Sequence, residues 1–224
     1  MVAVLDTGCG KHRWLNGSVV TDCRLDGQLV GMAPPDPDPQ VTGDGTGPLD
    51  GAVDAAAGHG TFIAGLIRQR CREAEILSIR VVHSDGVVIE SDLIDALTEI
   101  GEIARRHAAG QGPKSDARPI DVLNLSLGYY HETPTDELFD PTLYRLLEFL
   151  GRCGTVVVAA AGNDATARPT SPAAFSPYPG GLIEQPVKAC VPVVSVGAEN
   201  PDKTVALFST VGPGFTCGRL APRL

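Results

Sequence analysis

Val2-Ala3-Val4-Leu5-Asp6-Thr7-Gly8 reads as four apolar residues running into a carboxylate and a turn. Apolar residues at every position, rather than at every second one, mark a strand covered on both faces of a parallel sheet. Further strands are predicted at residues 75–82, 120–127, 155–160 and 191–196. From His59 the period lengthens, and Phe62, Ile63, Leu66 and Ile67 are expected on one helix face. Residues 91–107 predict a second helix, with Ser91 as N-cap and Leu93, Ile94, Leu97, Ile100 and Ile103 apolar. Residues 141–152 predict a third, with Pro141 near its start. Strands alternating with helices imply an α/β fold whose mainly parallel sheet has helices on both faces. Residues 31–57, rich in Pro, Gly and Asp, read as a loop.

The bulk numbers fit one such domain. The chain has 224 residues, 43% hydrophobic and 20% charged, enough for a buried core and too apolar for a disordered chain. A net charge of -9 with no basic stripe argues against a nucleic-acid partner; Arg68, Arg70 and Arg72 read as a solvated helix end. No apolar stretch is long enough to span a bilayer. Asp6 interrupts the N-terminal apolar run before any signal-peptide pattern forms, so location is not readable. The six cysteines include no CxxC pair, which makes a zinc site unexpected. Cys153 and Cys190 read as small buried residues, while Cys9 and Cys23 are left open as a local bridge.

Ligand and catalytic sites of parallel sheets lie beyond the C-terminal ends of the strands. Asp6, Ser126 and Asn163 all fall just past such ends. Gly58-His59-Gly60-Thr61 opens a helix, and Val156-Val157-Val158-Ala159-Ala160-Ala161-Gly162-Asn163 closes a strand. Taken singly, each has a plain reading. Asp-Thr-Gly is a strand and a turn, His59 a satisfied helix-start histidine, and Asn163 a turn residue suited to αL geometry.

Taken together, in this order, the three blocks resemble the subtilisin-like serine proteases (subtilases, peptidase S8). Pro172-Ala173-Ala174-Phe175, Val193-Val194-Ser195-Val196-Gly197-Ala198 and Ala206-Leu207-Phe208-Ser209 extend the resemblance over residues 2 to about 212. It implies a three-layer α/β fold and peptide hydrolysis by an Asp-His-Ser triad with an Asn as oxyanion donor. By this resemblance Asp6 orients the imidazole, His59 is general base and then acid, and Asn163 donates to the oxyanion. Ser126, Leu127 and Gly128 bind the substrate backbone as an added strand. The family usually has a second Gly after that segment; here Tyr129 stands there, with room to narrow the groove. No cofactor is implied; calcium often accompanies the family. The acidic loop with Asp36, Asp38, Asp44 and Asp50 matches no specific calcium spacing and reads as solvated. The implied partner is a polypeptide substrate, and the family is commonly secreted.

The family's Gly-Thr-Ser nucleophile block does not occur in the 224 residues. Ser171 follows Asn163 too closely, within a Pro-rich loop, to replace it. Residues 1–212 therefore read as a partial peptidase domain, C-terminally truncated, and 213–224 as an aberrant or frameshifted tail. The polypeptide is expected to be inactive or nearly so, with part of its core uncovered and its stability marginal. The alternative is a catalytically dead homologue that binds peptides or a protein. That Asp6, His59 and Asn163 all match favours the truncated enzyme. Two other classes fit poorly. An aspartic protease needs a second Asp-Thr/Ser-Gly, and the glycine loops lack the third position of a dinucleotide fingerprint.

Overall fold

A computed structural model describes residues 1–36, 38–44, 51–131 and 140–212, together with the backbone of 216–217. It has two compact units, Met1–Asn124 and Leu125–Leu224. The proposed tail, residues 213–224, lies outside the described residues apart from that short backbone stretch.

The first unit contains β1 (Val2–Asp6), β2 (Val19–Val20), β3 (Arg24–Leu25), β4 (Gln28–Leu29), α1 (Pro39–Thr42), α2 (His59–Arg70), β5 (Ile76–Arg80) and α3 (Glu90–Ala108), and it runs out through β6 (Val122–Leu125). Its strands lie parallel in the order β2, β5, β1, β6. β1 is central, aligned from Val2 opposite Ile76 to Asp6 opposite Arg80. All five residues of β5 are buried, as a strand with covered faces requires. β3 and β4 form a separate antiparallel hairpin around Asp26-Gly27, both at positive φ, the turn chemistry an Asp-Gly pair supplies.

The second unit contains α4 (Pro141–Arg152), β7 (Val156–Ala160), a 3₁₀ turn at Ala173–Phe175, β8 (Val194–Gly197) and β9 (Thr216–Cys217), with its strands again parallel. The Asp140 side chain accepts from Leu143 N at 2.9 Å and caps α4 ahead of Pro141. Leu143, Leu147 and Leu150 form its buried face.

The α/β alternation stands as read from sequence, with shorter strands than expected, because ladder bonds stop where the chain turns away. Four local readings are corrected. In α2 the buried side is Gly60 and Ala64, with Ile63 and Ile67 packed beside them, whereas Phe62 and Leu66 are exposed. α3 starts at Glu90 with Ile89 as its cap residue; Ser91 lies inside the first turn and hydrogen-bonds Asp92 instead. The loop over 31–57 includes the one-turn helix α1. Cys153 and Cys190 are half-buried, and the buried thiol is Cys23, which burial pushes up to about 11. Cys9 and Cys23 are both free, so no bridge joins them.

Candidate active site

Asp6 ends β1 and is 2% exposed. His59 begins α2, and its Nδ1 lies 2.8 Å from Asp6 Oδ1 and 2.9 Å from Oδ2. With Asp6 as acceptor, Nδ1 carries the hydrogen, which leaves Nε2 as the basic nitrogen. Nε2 has no hydrogen-bond partner among the described residues. The hydrogen bond to Asp6 holds the imidazole pKa above its ordinary value, against the opposing pull of partial burial.

The chain around the pair explains why it is held. Thr7 N donates to Asp6 Oδ1 at 2.7 Å. Thr7 Oγ1 accepts from Gly60 N at 3.0 Å and tethers the start of α2 to the end of β1. A Cβ on Gly60 would lie 2.3 Å from Gly8 O and 3.1 Å from both Asp6 Cβ and Oδ1. Only glycine allows the helix to come this near. Gln40 of α1 completes the frame: its amide donates to Thr7 O and Oγ1, and its Oε1 accepts from Thr61 Oγ1 at 2.6 Å. Thr61 Oγ1 in turn accepts from Gly10 N at 2.8 Å. Sequence reading missed Gln40, because it sits in a segment read as loop and acts across 33 residues.

α1 is itself anchored to the sheet. Asp38 Oδ1 accepts from Gln40 N as N-cap and from Arg80 Nη2 at 2.8 Å. Arg80 is only 8% exposed and ends β5 beside Asp6. Asp44 Oδ2 accepts from Gly51 N, Asp36 is exposed, and Asp50 lies outside the described residues. Among the described residues no group of three or more His, Cys, Asp or Glu is placed to hold a metal ion.

The other residues singled out in the sequence belong to the second unit. Ser126, Leu127 and Gly128 directly follow β6. The segment is fixed at its end, where Tyr129 and Ser171 exchange backbone hydrogen bonds of 2.9 and 3.0 Å. A Cβ on Gly128 would lie 2.7 Å from Thr170 Cγ2, so the Gly fits a close approach. Tyr129 Oη donates to Asp140 Oδ2 at 2.7 Å, which ties the ring's hydroxyl to the capped start of α4. Ser171 is 2% exposed and bound through its backbone, consistent with rejecting it as nucleophile.

Asn163 stands three residues past β7 and is exposed, with no hydrogen-bond partner among the described residues. Gly162, at φ 110°, makes the turn that the αL reading assigned to Asn163. Thr210 N donates to Gly162 O at 2.9 Å, and a Cβ on Gly162 would meet Thr210 Oγ1 at 2.8 Å. The structure thus brings Asp6 and His59 together in one unit; Ser126, Leu127 and Gly128, just past β6, and Asn163, past β7, belong to the other.

Comparisons with known proteins bear on this arrangement. A family model described as the subtilase family, peptidase S8, matches residues 1–224. The chain is 28% identical over 235 residues to the serine protease AprX of Bacillus subtilis (strain 168), covering 95% of this chain and 42% of that protein. It is 27% identical to the thermophilic serine proteinase of Bacillus sp. (strain AK1), covering 94% and 41%. The chain thus spans about two fifths of the length of these curated relatives. Among solved structures, proteases from Pseudoalteromonas arctica PAMC 21717 align with a TM-score of 0.58 at 23% identity, over 96% of this chain and 60% of that one. A lanthipeptide protease aligns with a TM-score of 0.57 at 19% identity, over 94% and 52%. These structural likenesses concern the fold.

Proposed function

The chain belongs to the subtilase family, and on that premise we propose that it carries the general-base and oxyanion parts of a serine endopeptidase without the nucleophile. Asp6 orients His59, and His59 Nε2 is the atom that would take and return the proton. Asn163 is the oxyanion donor, its side-chain amide unengaged by any described residue. Ser126, Leu127 and Gly128 hold the substrate main chain as an added strand. The observation that carries this reading is the Asp6–His59 pair, with its tautomer set by the carboxylate and its second nitrogen without a partner.

The substrate class is a polypeptide. Because these 224 residues hold no Gly-Thr-Ser block, the polypeptide by itself binds peptide and does not cleave it at an ordinary protease rate. Residual hydrolysis by bound water falls far below an intact triad. Binding without cleavage is also what a pseudoprotease would do, and the match of Asp6, His59 and Asn163 to the family's blocks weighs against it.

The test combines a fluorogenic peptide, a fluorophosphonate probe and anisotropy with a labelled peptide. The expected result is saturable binding, no turnover above the blank and no covalent labelling. Turnover at a normal protease rate, or stoichiometric labelling of a serine, would overturn the assignment of this chain as lacking a nucleophile. Absence of any peptide binding would overturn the role given to Ser126, Leu127 and Gly128.

A further inference from the structure

A cavity in the first unit, beside the turn that follows Asp6, has no part in the proposed catalysis. It holds about 310 Å³, at the lower end of the range for small-molecule sites. Its most deeply buried polar residues are Ser78 and Arg80 of β5, which are 5% and 8% exposed. They stand two residues apart on a strand and so face the same way. Leu15, Val30, Met32 and Val41 give the cavity an apolar lining, and Lys11 stands at its exposed rim. Gly8, at φ 93°, lies close against the guanidinium: a Cβ there would come 3.1 Å from Arg80 Nη2 and 3.2 Å from Nε. A side chain at this position would crowd the space that glycine leaves open above Arg80.

Two buried groups in this cavity lack the partners that burial ordinarily requires. Ser78 Oγ makes no hydrogen bond with a described residue. Arg80 is anchored through Nη2, 2.8 Å from Asp38 Oδ1, while its Nε and Nη1 have no acceptor among the described residues. A guanidinium stays charged at any ordinary pH and presents its donors as a planar fork suited to a carboxylate. Asp38 does not use up that fork, and its Oδ1 is shared with Gln40 N at 3.0 Å. Lys11 forms no ion pair with a described residue. On a chain of net charge -9, the cavity thus gathers unspent cationic donors and a hydroxyl against aliphatic side chains. An apolar lining with a few convergent polar groups is the usual make-up of a ligand site.

We propose that this cavity binds a carboxylate carried on a small branched aliphatic body. The carboxylate accepts from the free N–H groups of Arg80 and from Ser78 Oγ–H, and the aliphatic part lies against Leu15, Val30, Met32 and Val41. Arg80 and Lys11 repel a cation, and a neutral ligand forgoes the charge-assisted bonds that a carboxylate makes. A bare inorganic anion leaves the apolar lining without a partner. The inference does not rest on the proposed catalysis, since neither Asp6 nor His59 lines the cavity.

The probes are 4-methylpentanoate, its neutral amide 4-methylpentanamide, and acetate, each followed by NMR through the backbone amides of Cys9, Gly10 and Met32, which line the cavity. 4-Methylpentanoate is expected to shift these resonances and saturate within about 10 mM, while Val158 of β7 stays unmoved. The amide, which lacks the charge, and acetate, which lacks the aliphatic body, should each bind at least about tenfold more weakly. An acetylated tripeptide ending in a free leucine carboxylate identifies the source of the ligand: tighter binding than the free acid assigns the cavity to a peptide C-terminus, weaker binding to a free acid. Arg80→Lys keeps a cation beside Asp38 but loses the fork, and should weaken binding at least about fivefold. Ser78→Val suits a strand, removes the hydroxyl and narrows the space, and should do the same. Circular dichroism verifies that both variants fold; the comparison of acid, amide and acetate uses the unaltered chain and stands without them. Equal binding of the amide or of acetate would overturn the proposal. So would the absence of shifts at Cys9, Gly10 and Met32, or unchanged affinity in both folded variants.

Discussion

Alanine at Gly60 and alanine at Gly65 should move stability in opposite directions, although both residues lie in α2. Intrinsic helix preference favours alanine at either position by about 0.8–1.0 kcal/mol. At Gly65 nothing stands within 4 Å of the added Cβ, so the gain is realised, and Gly65→Ala stabilises by about 0.5–1 kcal/mol. At Gly60 the Cβ falls 2.3 Å from Gly8 O. A relaxed carbon–oxygen contact is about 3.3 Å, so the start of α2 must retreat by about 1 Å. The Asp6–His59 distances of 2.8 and 2.9 Å then stretch past hydrogen-bonding range. Overpacking of this kind costs about 1–3 kcal/mol and outweighs the helix preference. At about 2–4 °C per kcal/mol for a chain of this size, the two variants separate clearly in Tm. Urea unfolding followed by Trp14 emission reads the unit that contains both glycines, and an NMR titration reads the His59 pKa. In Gly60→Ala that pKa should drop back toward the ordinary histidine value; in Gly65→Ala it should stay raised. Equal stability of the two variants, with His59 still raised in Gly60→Ala, would refute the close-approach argument.

Three further outcomes follow from the same frame. Thr7→Val removes the hydroxyl that accepts from Gly60 N and Gln40 Nε2, leaves a buried N–H unpaired, and should cost about 1–3 kcal/mol in urea unfolding. Asp38→Ala strands the buried Arg80 guanidinium and should destabilise by about 3–5 kcal/mol, while Asp38→Asn keeps the N-cap and isolates the charge effect by difference. The Asp6–His59 pair also sets a pH dependence. The folded pKa of His59 lies above the unfolded one, so its contribution is complete below about pH 6.5 and is lost as pH rises through the folded value. Wild-type stability should therefore fall more between pH 5 and pH 9 (a range of about four units, spanning the histidine titration) than that of Asp6→Asn, as measured by denaturant midpoint; parallel profiles would count against the pairing.

The parallel α/β pattern, the strand-end positions of Asp6, Ser126 and Asn163, and the helix-start position of His59 were legible in the sequence, because each rests on local chemistry. β1 shows itself by apolar residues at consecutive positions and the 141–152 helix by Pro141 near its start. Family membership was legible for the same reason, since the blocks that carry it are short contiguous strings. Less local features were not. Periodicity puts Phe62, Ile63, Leu66 and Ile67 on one face of α2, and of these only Ile63 and Ile67 pack against the core. Which stripe of a helix is covered depends on the neighbour it meets, and here that neighbour is β1, which calls for Gly60 and Ala64. Ser91 looked like a cap from residue type alone, but the helix began one residue earlier, and the cap role went with it.

The apolar pattern thus determined the class of fold, and the resemblance of three short blocks to the subtilases pointed to the family and to the order of the residues with chemistry in them. Only the tertiary structure decided that Asp38 pairs with Arg80 and caps α1, and that Gln40 braces Thr7 and Thr61. It also decided that Gly60 and Ala64 are the covered side of α2, while Phe62 and Leu66 are exposed. These contacts join residues tens of positions apart. Hydrogen bonding and charge pairing act over a few ångströms in space, and separation along the chain does not record them.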